Sequence, residues 1–183
     1  MMRNLKGLFI FVMASVIFTG CLTVEKKEYT FQLKDNDSGT LTIKFINILS
    51  MKDDALDVSQ SDFEELIMNY IEGTEIEVDY SNALVRSKRL FEESGQLCGE
   101  IIIDFEDLAS VGLFQYDSKS PLMFNVGSFL DSETYLKSNG EFGGEVMPVV
   151  FWPKSLKTLA LTTFITDPDE TTVGLLNEYH NWK

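Results

Sequence analysis

Apolar and polar residues alternate in two stretches near the start of the chain. Residues 29–34 and 40–45 each place an apolar side chain at every second position, and the polar segment Asp35-Asn36-Asp37-Ser38-Gly39 separates them. Alternation with a period of two is typical of half-buried strands, and a short loop containing glycine is typical of the turn between them. The pattern therefore predicts a β-hairpin.

A period of 3.6 residues replaces this alternation between Ser59 and Gly73. The apolar residues recur at i, i+3, i+4, i+7 and i+8: Phe63, Leu66, Ile67, Tyr70 and Ile71. Ser59 with Asp62 three residues later is an N-terminal capping pattern, and Gly73 is a typical stop. We expect one main helix, about 59–73, with its apolar stripe packed on a sheet.

The remaining pattern is mostly that of strands. A second hairpin is predicted over 83–91 and 97–105, a hairpin turn at Asn139-Gly140, and a short helix over 171–181. Five further strands are expected at residues 113–116, 121–126, 132–137, 144–152 and 156–166. The predicted fold class is α+β, a mostly antiparallel twisted sheet of about eight or nine strands with one main helix packed on it.

The first 20 residues have the organisation of an export signal. Arg3 and Lys6 precede an apolar run over residues 8–18 that contains no charged residue. A run of about 11 residues fits a secretory signal and falls short of the ~20 residues that a spanning helix needs. We therefore expect residues 1–20 to be a signal peptide that is removed.

The four residues that close this segment, Phe18-Thr19-Gly20-Cys21, resemble the lipobox of bacterial lipoproteins. The resemblance implies cleavage between Gly20 and Cys21 and a lipid on the thiol of Cys21. Phe18 departs from the usual leucine. An ordinary signal peptide cleaved nearby, or an uncleaved anchor, is the alternative. Residues 21–27 are then the lipidated cysteine with a short tether, reaching about 20 Å at most, and residues 28–183 are a single domain.

Charge narrows the range of partners. After removal of residues 1–20 the chain keeps 13 basic and 29 acidic residues, a formal charge of −16. Such a charge repels phosphate backbones and anionic headgroups, which excludes nucleic acid as a partner and electrostatic adsorption to a membrane. A membrane partner must then be held through the covalent anchor.

Cysteine usage is sparse. Cys21 and Cys98 are the two cysteines of the chain. If Cys21 carries a lipid, Cys98 is unpaired and the protein is not a disulfide scaffold. If Cys21 is not lipidated, an exported chain with two cysteines can form a Cys21–Cys98 disulfide.

The chain lacks the usual residue sets of catalysis and metal binding. Its one histidine is His180, which leaves no His-based triad, and Asp35 and Asp37 are not followed by the acid that an EF-hand requires at Ile46. Carboxylate pairs such as Asp104/Glu106 and Asp167/Asp169 are common by chance in so acidic a chain. We expect no catalytic residue, no metal and no cofactor.

One basic cluster stands out in the predicted second hairpin. Arg86, Lys88 and Arg89 are candidates for contact with an anionic ligand. The alternative is that these side chains pair with the acids of the neighbouring strand, because opposite charges meet across a hairpin.

The order of these features resembles the LppM-like envelope lipoproteins over residues 21–108. That order is a cysteine anchor, a strand, the turn Asp37-Ser38-Gly39-Thr40, a second strand, a helix and a hairpin returning through Gly99-Glu100-Ile101-Ile102-Ile103-Asp104-Phe105. The resemblance implies a β-rich domain that interacts with lipid or with the envelope.

Three functional hypotheses remain. The first is a lipid-anchored extracytoplasmic interaction protein, not an enzyme, that binds an unknown protein or lipid in the bacterial cell envelope. Leu22 is not the aspartate that retains some lipoproteins in the inner membrane, which favours the outer membrane. The second is a carrier of an apolar ligand in a pocket between the helix and the aromatic-rich sheet. The third is a carboxylate-dependent hydrolase.

Overall fold

The computed structural model describes residues 22–34, 37–53, 56–127 and 133–183. The predicted signal peptide and Cys21 lie outside these ranges. None of the helices within them combines the length and the apolarity needed to cross a bilayer.

The described residues form eleven strands. They are β1 (Leu22–Leu33), β2 (Gly39–Met51), β3 (Leu84–Glu93), β4 (Gln96–Phe105), β5 (Leu113–Gln115), β6 (Leu122–Asn125), β7 (Thr134–Ser138), β8 (Glu141–Phe142), β9 (Val149–Trp152), β10 (Thr158–Phe164) and β11 (Thr172–Gly174). The helical segments are α1 (Ser59–Glu65), a π-helical segment (Leu66–Ile71), α2 (Glu75–Asp79), a 3₁₀ turn (Ala109–Val111) and α3 (Leu176–Trp182).

Two antiparallel sheets contain these strands. The larger sheet has the order β3-β4-β2-β1-β10-β7, and β11 pairs with the far end of β2. The smaller sheet has the order β5-β6-β9-β8. The predicted α+β class with mostly antiparallel pairing is confirmed. The expected count of eight or nine strands is wrong, because it omits two very short strands: β8 has only two residues, and β11 pairs with β2, which is more than 100 residues away in the chain.

Both predicted hairpins are present. β1 and β2 pair along their whole length, from Leu22 opposite Ser50 to Leu33 opposite Gly39, and β3 pairs with β4 around the Ser94–Gly95 turn. Gly39 is required at its position, because a Cβ there would lie 2.2 Å from the carbonyl oxygen of Gln32. Local alternation and turn residues were sufficient to predict these pairs.

The tether expected at residues 21–27 is not a free segment. Leu22–Lys27 is the first half of β1 and pairs with β2, and Leu22 and Val24 are only 4% and 2% exposed. These two apolar side chains enter the core where β2 extends beyond β4. Leu22, the first residue that the structure describes, therefore already belongs to the folded sheet.

The alternation of β2 changes phase near its end. Phe45 and Ile48 line the same cavity beneath the helices, although they are three residues apart and a regular strand would point them to opposite faces. Asn47 lies between them in the left-handed region with φ 57°. This residue re-aims the end of the strand, so both halves of β2 contribute to one core.

The predicted single helix over 59–73 is wrong in its length and regularity. α1 ends at Glu65, and the chain continues as a π-helical segment closed by a hydrogen bond from Glu72 N to Ile67 O of 2.8 Å. A Cβ on Gly73 would lie 2.4 Å from the carbonyl oxygens of Met68 and Asn69, so the helix ends there. α2 and α3 complete the helical layer.

Asn139-Gly140 does not form the predicted hairpin turn. β7 before it pairs with β10 in the large sheet, whereas β8 after it pairs with β9 in the small sheet. The Oδ1 of Asn139 accepts hydrogen bonds from Trp152 Nε1 and Ala160 N, both at 2.8 Å, and its Nδ2 donates to Thr158 O. A Cβ on Gly140 would lie 2.6 Å from Trp152 Nε1. Asn139 and Gly140 therefore join the two sheets, Asn139 through hydrogen bonds and Gly140 through its close contact with Trp152.

Two other predicted elements also differ from the structure. The strand expected over 144–152 is shorter, because Met147 N bonds to Gly144 O in a turn and pairing starts at Val149, after Pro148. The helix expected over 171–181 begins later, at Leu176, because residues Thr172–Gly174 pair with β2 as β11.

Both sheets and the helices contribute to one hydrophobic core. Phe124 of the small sheet contacts the rings of Tyr29 and Phe31 of β1, with centroids 5.5 and 5.6 Å apart. The helices cover the other part of the same face. The large, fully buried side chains include Phe31, Phe105, Leu113, Leu122, Trp152 and Leu161.

Candidate functional site

The basic cluster of β3 is divided between the two faces of the large sheet. Arg86 lies at a register shift between Val85 and Ser87, and its Nε is 3.4 Å from Asp104 Oδ2. Arg89 Nε donates to Glu100 Oε1 at 2.7 Å on the same outer face. Because of this irregularity, the Arg86 side chain lies on the same face as Arg89, whereas regular alternation would place Arg86 on the face of Lys88.

Lys88 lies on the opposite, helical face. Its Nζ donates to the carbonyl oxygen of Gly73 at 2.6 Å and lies 2.8 Å from Glu77 Oε1. A cation bonded to the last carbonyl groups of a helix stabilises the end of that helix. The position of Lys88 therefore ties β3 to the break between the π-helical segment and α2.

Each of the three cations has an acidic partner. The guanidinium of Arg89 also lies 4.6 Å from the centroid of the Phe91 ring, and its hydrogen bond with Glu100 raises the pKa of Arg89. Pairing with the protein's own acids describes this geometry well. Contact of Arg86, Lys88 and Arg89 with an anionic ligand stays a prediction.

The carboxylate pairs considered in the sequence make local contacts. Asp104 accepts a hydrogen bond from Thr40 Oγ1 at 2.9 Å and pairs with Arg86. Asp169 accepts from both the backbone N–H and the hydroxyl of Thr171, and these bonds lower the pKa of Asp169. Lowered pKa values keep a carboxyl ionised and unsuited to donate a proton at neutral pH.

Cys98 is buried and forms no disulfide with any described residue. Burial raises the pKa of its thiol, with Glu93 adding to the effect. Since the thiolate is the reactive form, Cys98 is protected from oxidation and alkylation in the folded protein. In the described ranges no group of three or more His, Cys, Asp and Glu residues could hold a metal ion.

Two apolar cavities lie between the helical layer and the large sheet. Each has a volume of about 40 Å³, and they share four wall residues: Phe45, Tyr70, Ile76 and Ile101. Burial, followed by the charges of Glu65 and Glu75, raises the pKa of Tyr70 to about 12. Pockets for drug-sized ligands usually enclose ~300–1,000 Å³, so each cavity has room for a water-sized molecule and not for an acyl chain.

A polar cluster borders the cavity that is lined by Lys27 and Tyr29 of β1. Its centre is Glu133, the residue before β7. Glu133 Oε1 accepts hydrogen bonds from Tyr29 OH at 2.8 Å and from Thr163 Oγ1 at 2.6 Å, and its Oε2 accepts from Lys27 Nζ at 3.0 Å. Lys27 and Glu133 are each about four-fifths buried at the side chain. Three hydrogen bonds and one opposite charge stabilise this carboxylate, so the cluster is a structural connection between β1 and β10.

The outer face of the small sheet is apolar. Phe114, Met123 and Phe151 stand side by side on β5, β6 and β9 in one cross-strand row, which Glu141 closes on β8. Their strand neighbours point into the core, since Leu113, Leu122, Val150 and Trp152 are buried. Antiparallel sheets usually carry polar residues on the face turned to water, so this row differs from the expected pattern.

Further apolar side chains adjoin this row. Phe114 is 57% exposed, and Tyr116, two residues on, is 79% exposed. A Cβ on Gly143 would lie 2.9 Å from Met147 Cε and 3.2 Å from Phe151 Cε2, which places the Met147 methyl group beside the Phe151 ring. We call Phe114, Met123, Phe151 and Met147 the outer apolar row. Sequence alternation in short strands of uncertain register was too weak to identify it.

Comparisons with known proteins add no relative. No family model, no curated protein and no solved structure matches this chain.

Proposed function

We propose that this protein is a lipid-anchored, extracytoplasmic interaction protein of the bacterial cell envelope that acts without catalysis. In this proposal the signal peptide is cleaved between Gly20 and Cys21, and the thiol of Cys21 carries the lipid. The observation that supports it most is the start of β1 at Leu22, directly after that cysteine. Leu22 and Val24 are buried, so a lipid on Cys21 would hold the folded sheet itself at the membrane.

The acidic composition supports a covalent anchor. After cleavage the chain has 29 acidic and 13 basic residues and is repelled by anionic headgroups, so a lipid supplies the membrane affinity that the charge does not. The outer membrane is the favoured location because Leu22 stands where an aspartate would favour retention in the inner membrane. The order β1, β2, α1, β3, β4 is compatible with the resemblance to LppM-like lipoproteins.

Metabolic labelling tests the anchor. Cells producing the full chain are given radiolabelled palmitate, and the label on wild type is compared with that on Cys21→Ser and Cys98→Ser. We expect label on wild type and on Cys98→Ser and none on Cys21→Ser, because Cys98 is buried. Equal labelling of wild type and Cys21→Ser would refute lipidation at Cys21.

A second candidate function is transport of an apolar ligand between the helices and the large sheet. The apolar lining of the two cavities favours it, whereas their volume of about 40 Å³ each requires the helical layer to move away before a lipid can enter. Native mass spectrometry of residues 22–183 separates the candidates. A co-purifying lipid would favour the carrier, and a ligand-free mass would favour the interaction protein.

A further inference from the structure

The outer apolar row has the character of a binding surface. It crosses three neighbouring strands without a charged side chain until Glu141, and Phe114 and Met147 are each at least half exposed. Exposed apolar surface that is contiguous, and not scattered singly, marks sites of association. Three kinds of occupant are chemically suitable: the anchoring bilayer, a second copy of this chain, and another protein.

Distance from the anchor argues against the bilayer. Phe124, next to Met123 on β6, packs against Phe31, which is nine residues along β1 from Leu22. At about 3.3 Å per residue, the two ends of that stretch are about 30 Å apart. The outer apolar row therefore lies by the end of β1 that is remote from Cys21, about 30 Å from the point at which a lipid on Cys21 would attach the chain. The acidic charge of the domain repels anionic headgroups, which disfavours a tilt that would bring this remote end to the bilayer.

Size and charge argue against a second copy. Four strands about 4.8 Å apart with about three residues each give the outer face an area of about 200 Å². A stable interface usually buries about 800 Å² on each partner. Without residues 1–20, each copy of this chain has 13 basic and 29 acidic residues, a formal charge of −16. Two copies stacked on this face would gain too little contact to offset their repulsion.

We propose that the outer apolar row binds a short apolar segment of another protein that carries net positive charge. The proposal rests on the proposed anchored interaction function and names its site and the chemistry of its partner. Apolar side chains of the segment cover Phe114, Met123 and Phe151. Basic residues flanking the segment face Glu141 and the negative field of the domain, which also accelerates association.

Site-specific photo-crosslinking of the full chain in its own cells tests this. The photoreactive residue p-benzoylphenylalanine replaces Phe114, and in a matched control it replaces Leu136, an exposed apolar residue of β7 in the large sheet. After irradiation the adduct is purified and the cross-linked peptide is sequenced by mass spectrometry. We expect an adduct at position 114, and not at 136, whose captured segment is apolar and net basic.

A second substitution tests whether the row itself binds. Adding Met123→Gln should reduce the adduct at position 114 by about tenfold, the effect of losing about 1.4 kcal/mol of binding. Adding Leu84→Ser, at an exposed position of β3, should leave the yield unchanged. Thermal melts verify that both variants are folded. If the Met123→Gln variant does not fold, Phe151→Ser is used in its place.

Several results would overturn the proposal. These are an adduct between two copies of this chain, an adduct with lipid, a captured segment that is acidic, equal yields at positions 114 and 136, or no adduct. Palmitate labelling in the same cells separates the two proposals. Labelling without the adduct removes the docking site and leaves the anchor, whereas the adduct without labelling leaves a docking protein that is not lipidated at Cys21.

Discussion

Replacing Asn139 with alanine tests how the two sheets are joined. Its amide side chain accepts hydrogen bonds from Trp152 Nε1 and Ala160 N and donates one to Thr158 O. Trp152 is fully buried in the small sheet, and the two other partners belong to β10 of the large sheet. One side chain therefore bonds to both sheets, and Asn139→Ala removes all three bonds.

The expected loss follows from the burial of the groups left behind. The indole N–H of Trp152 would have no acceptor, and an unsatisfied buried donor costs about 1–3 kcal/mol. Loss of the two bonds to the backbone of β10 adds about 1 kcal/mol in total, since that surface is partly hydrated. We expect Asn139→Ala to lower the free energy of unfolding by about 3 kcal/mol, a large part of the ~5–15 kcal/mol typical of a domain.

Urea unfolding of residues 22–183, followed by far-UV circular dichroism, measures this loss. With a slope of about 2 kcal/mol per molar urea, the midpoint should fall by about 1.5 M. Asn139→Asp keeps both acceptor bonds but sets a carboxylate oxygen against Thr158 O, so it should lose less stability than Asn139→Ala and more than the surface control. Asn125→Ala is the matched surface control and should stay within about 0.5 kcal/mol of wild type.

Hydrogen exchange of the indole gives a local measurement. The Trp152 N–H should exchange slowly in wild type and in Asn139→Asp and much faster in Asn139→Ala, because only the alanine variant lacks an acceptor. If Asn139→Ala and Asn125→Ala lose the same stability, or if the indole stays protected in Asn139→Ala, the proposed connection between the sheets is wrong.

Three further predictions concern other parts of the fold. A chain that begins at Glu25 should be about 3–5 kcal/mol less stable to urea unfolding than one that begins at Leu22, because burial of Leu22 and of Val24 contributes about 1.5–3 kcal/mol each. Equal stability of the two chains would show that residues 22–24 are a tether. Glu133→Gln should cost about 2 kcal/mol in the same assay by weakening three charge-assisted bonds, whereas Glu141→Gln, at an exposed residue, should be neutral. Asp79→Asn should raise the melting temperature at pH 7, because burial and then Glu75 raise the pKa of Asp79 and the ionised form destabilises the folded state. That advantage should disappear as the pH falls below the ordinary carboxyl pKa near 3.8, where Asp79 is protonated in both states, and an advantage that persists at pH 2 would contradict the assignment.

Local sequence patterns predicted those elements whose partners are close in the chain. Alternation and turn residues predict the β1–β2 and β3–β4 hairpins, and α1 begins at Ser59 as expected. The predicted capping is wrong, because Val58 is the N-cap residue and no side chain caps the helix. The Ser59 hydroxyl donates to Glu178 instead, and the Asp62 carboxylate accepts a hydrogen bond from Ser50 Oγ. The two hairpins and α1 each have a continuous periodic pattern, and in each hairpin one turn joins two consecutive strands, so the local pattern contains the necessary information.

Elements that depend on distant contacts were predicted less well. Asn139-Gly140 has the composition of a hairpin turn, yet its conformation is determined by Trp152 and by β10, which are 13 and 19 or more residues away in the chain. β11 is a strand because it finds the free end of β2, and without that neighbour the same residues have the pattern of a helix. Propensity is a weak guide where tertiary contacts decide.

The candidate site shows the same division. Composition alone shows an acidic chain with one histidine, which leaves no His-based catalytic triad. The basic residues of β3 are also visible as a cluster in the sequence. The register shift at Arg86 then separated Lys88 from Arg86 and Arg89 and gave each cation its own acid. The outer apolar row needed the register of three strands, because Phe114 and Phe151 are 37 residues apart and become neighbours only when β6 lies between them.

The two N-terminal hairpins, the start of the main helix, the acidic charge and the cysteine before Leu22 are thus readable in the chain itself, because they depend on single residues or on continuous local patterns. The incorporation of Leu22–Lys27 into the sheet, the change of face at Asn47 and the apolar outer row depend on which strands pair and in which register. The pairing and register of the strands are determined by which side chains they bury in a common core, and that core exists only when the whole chain has folded.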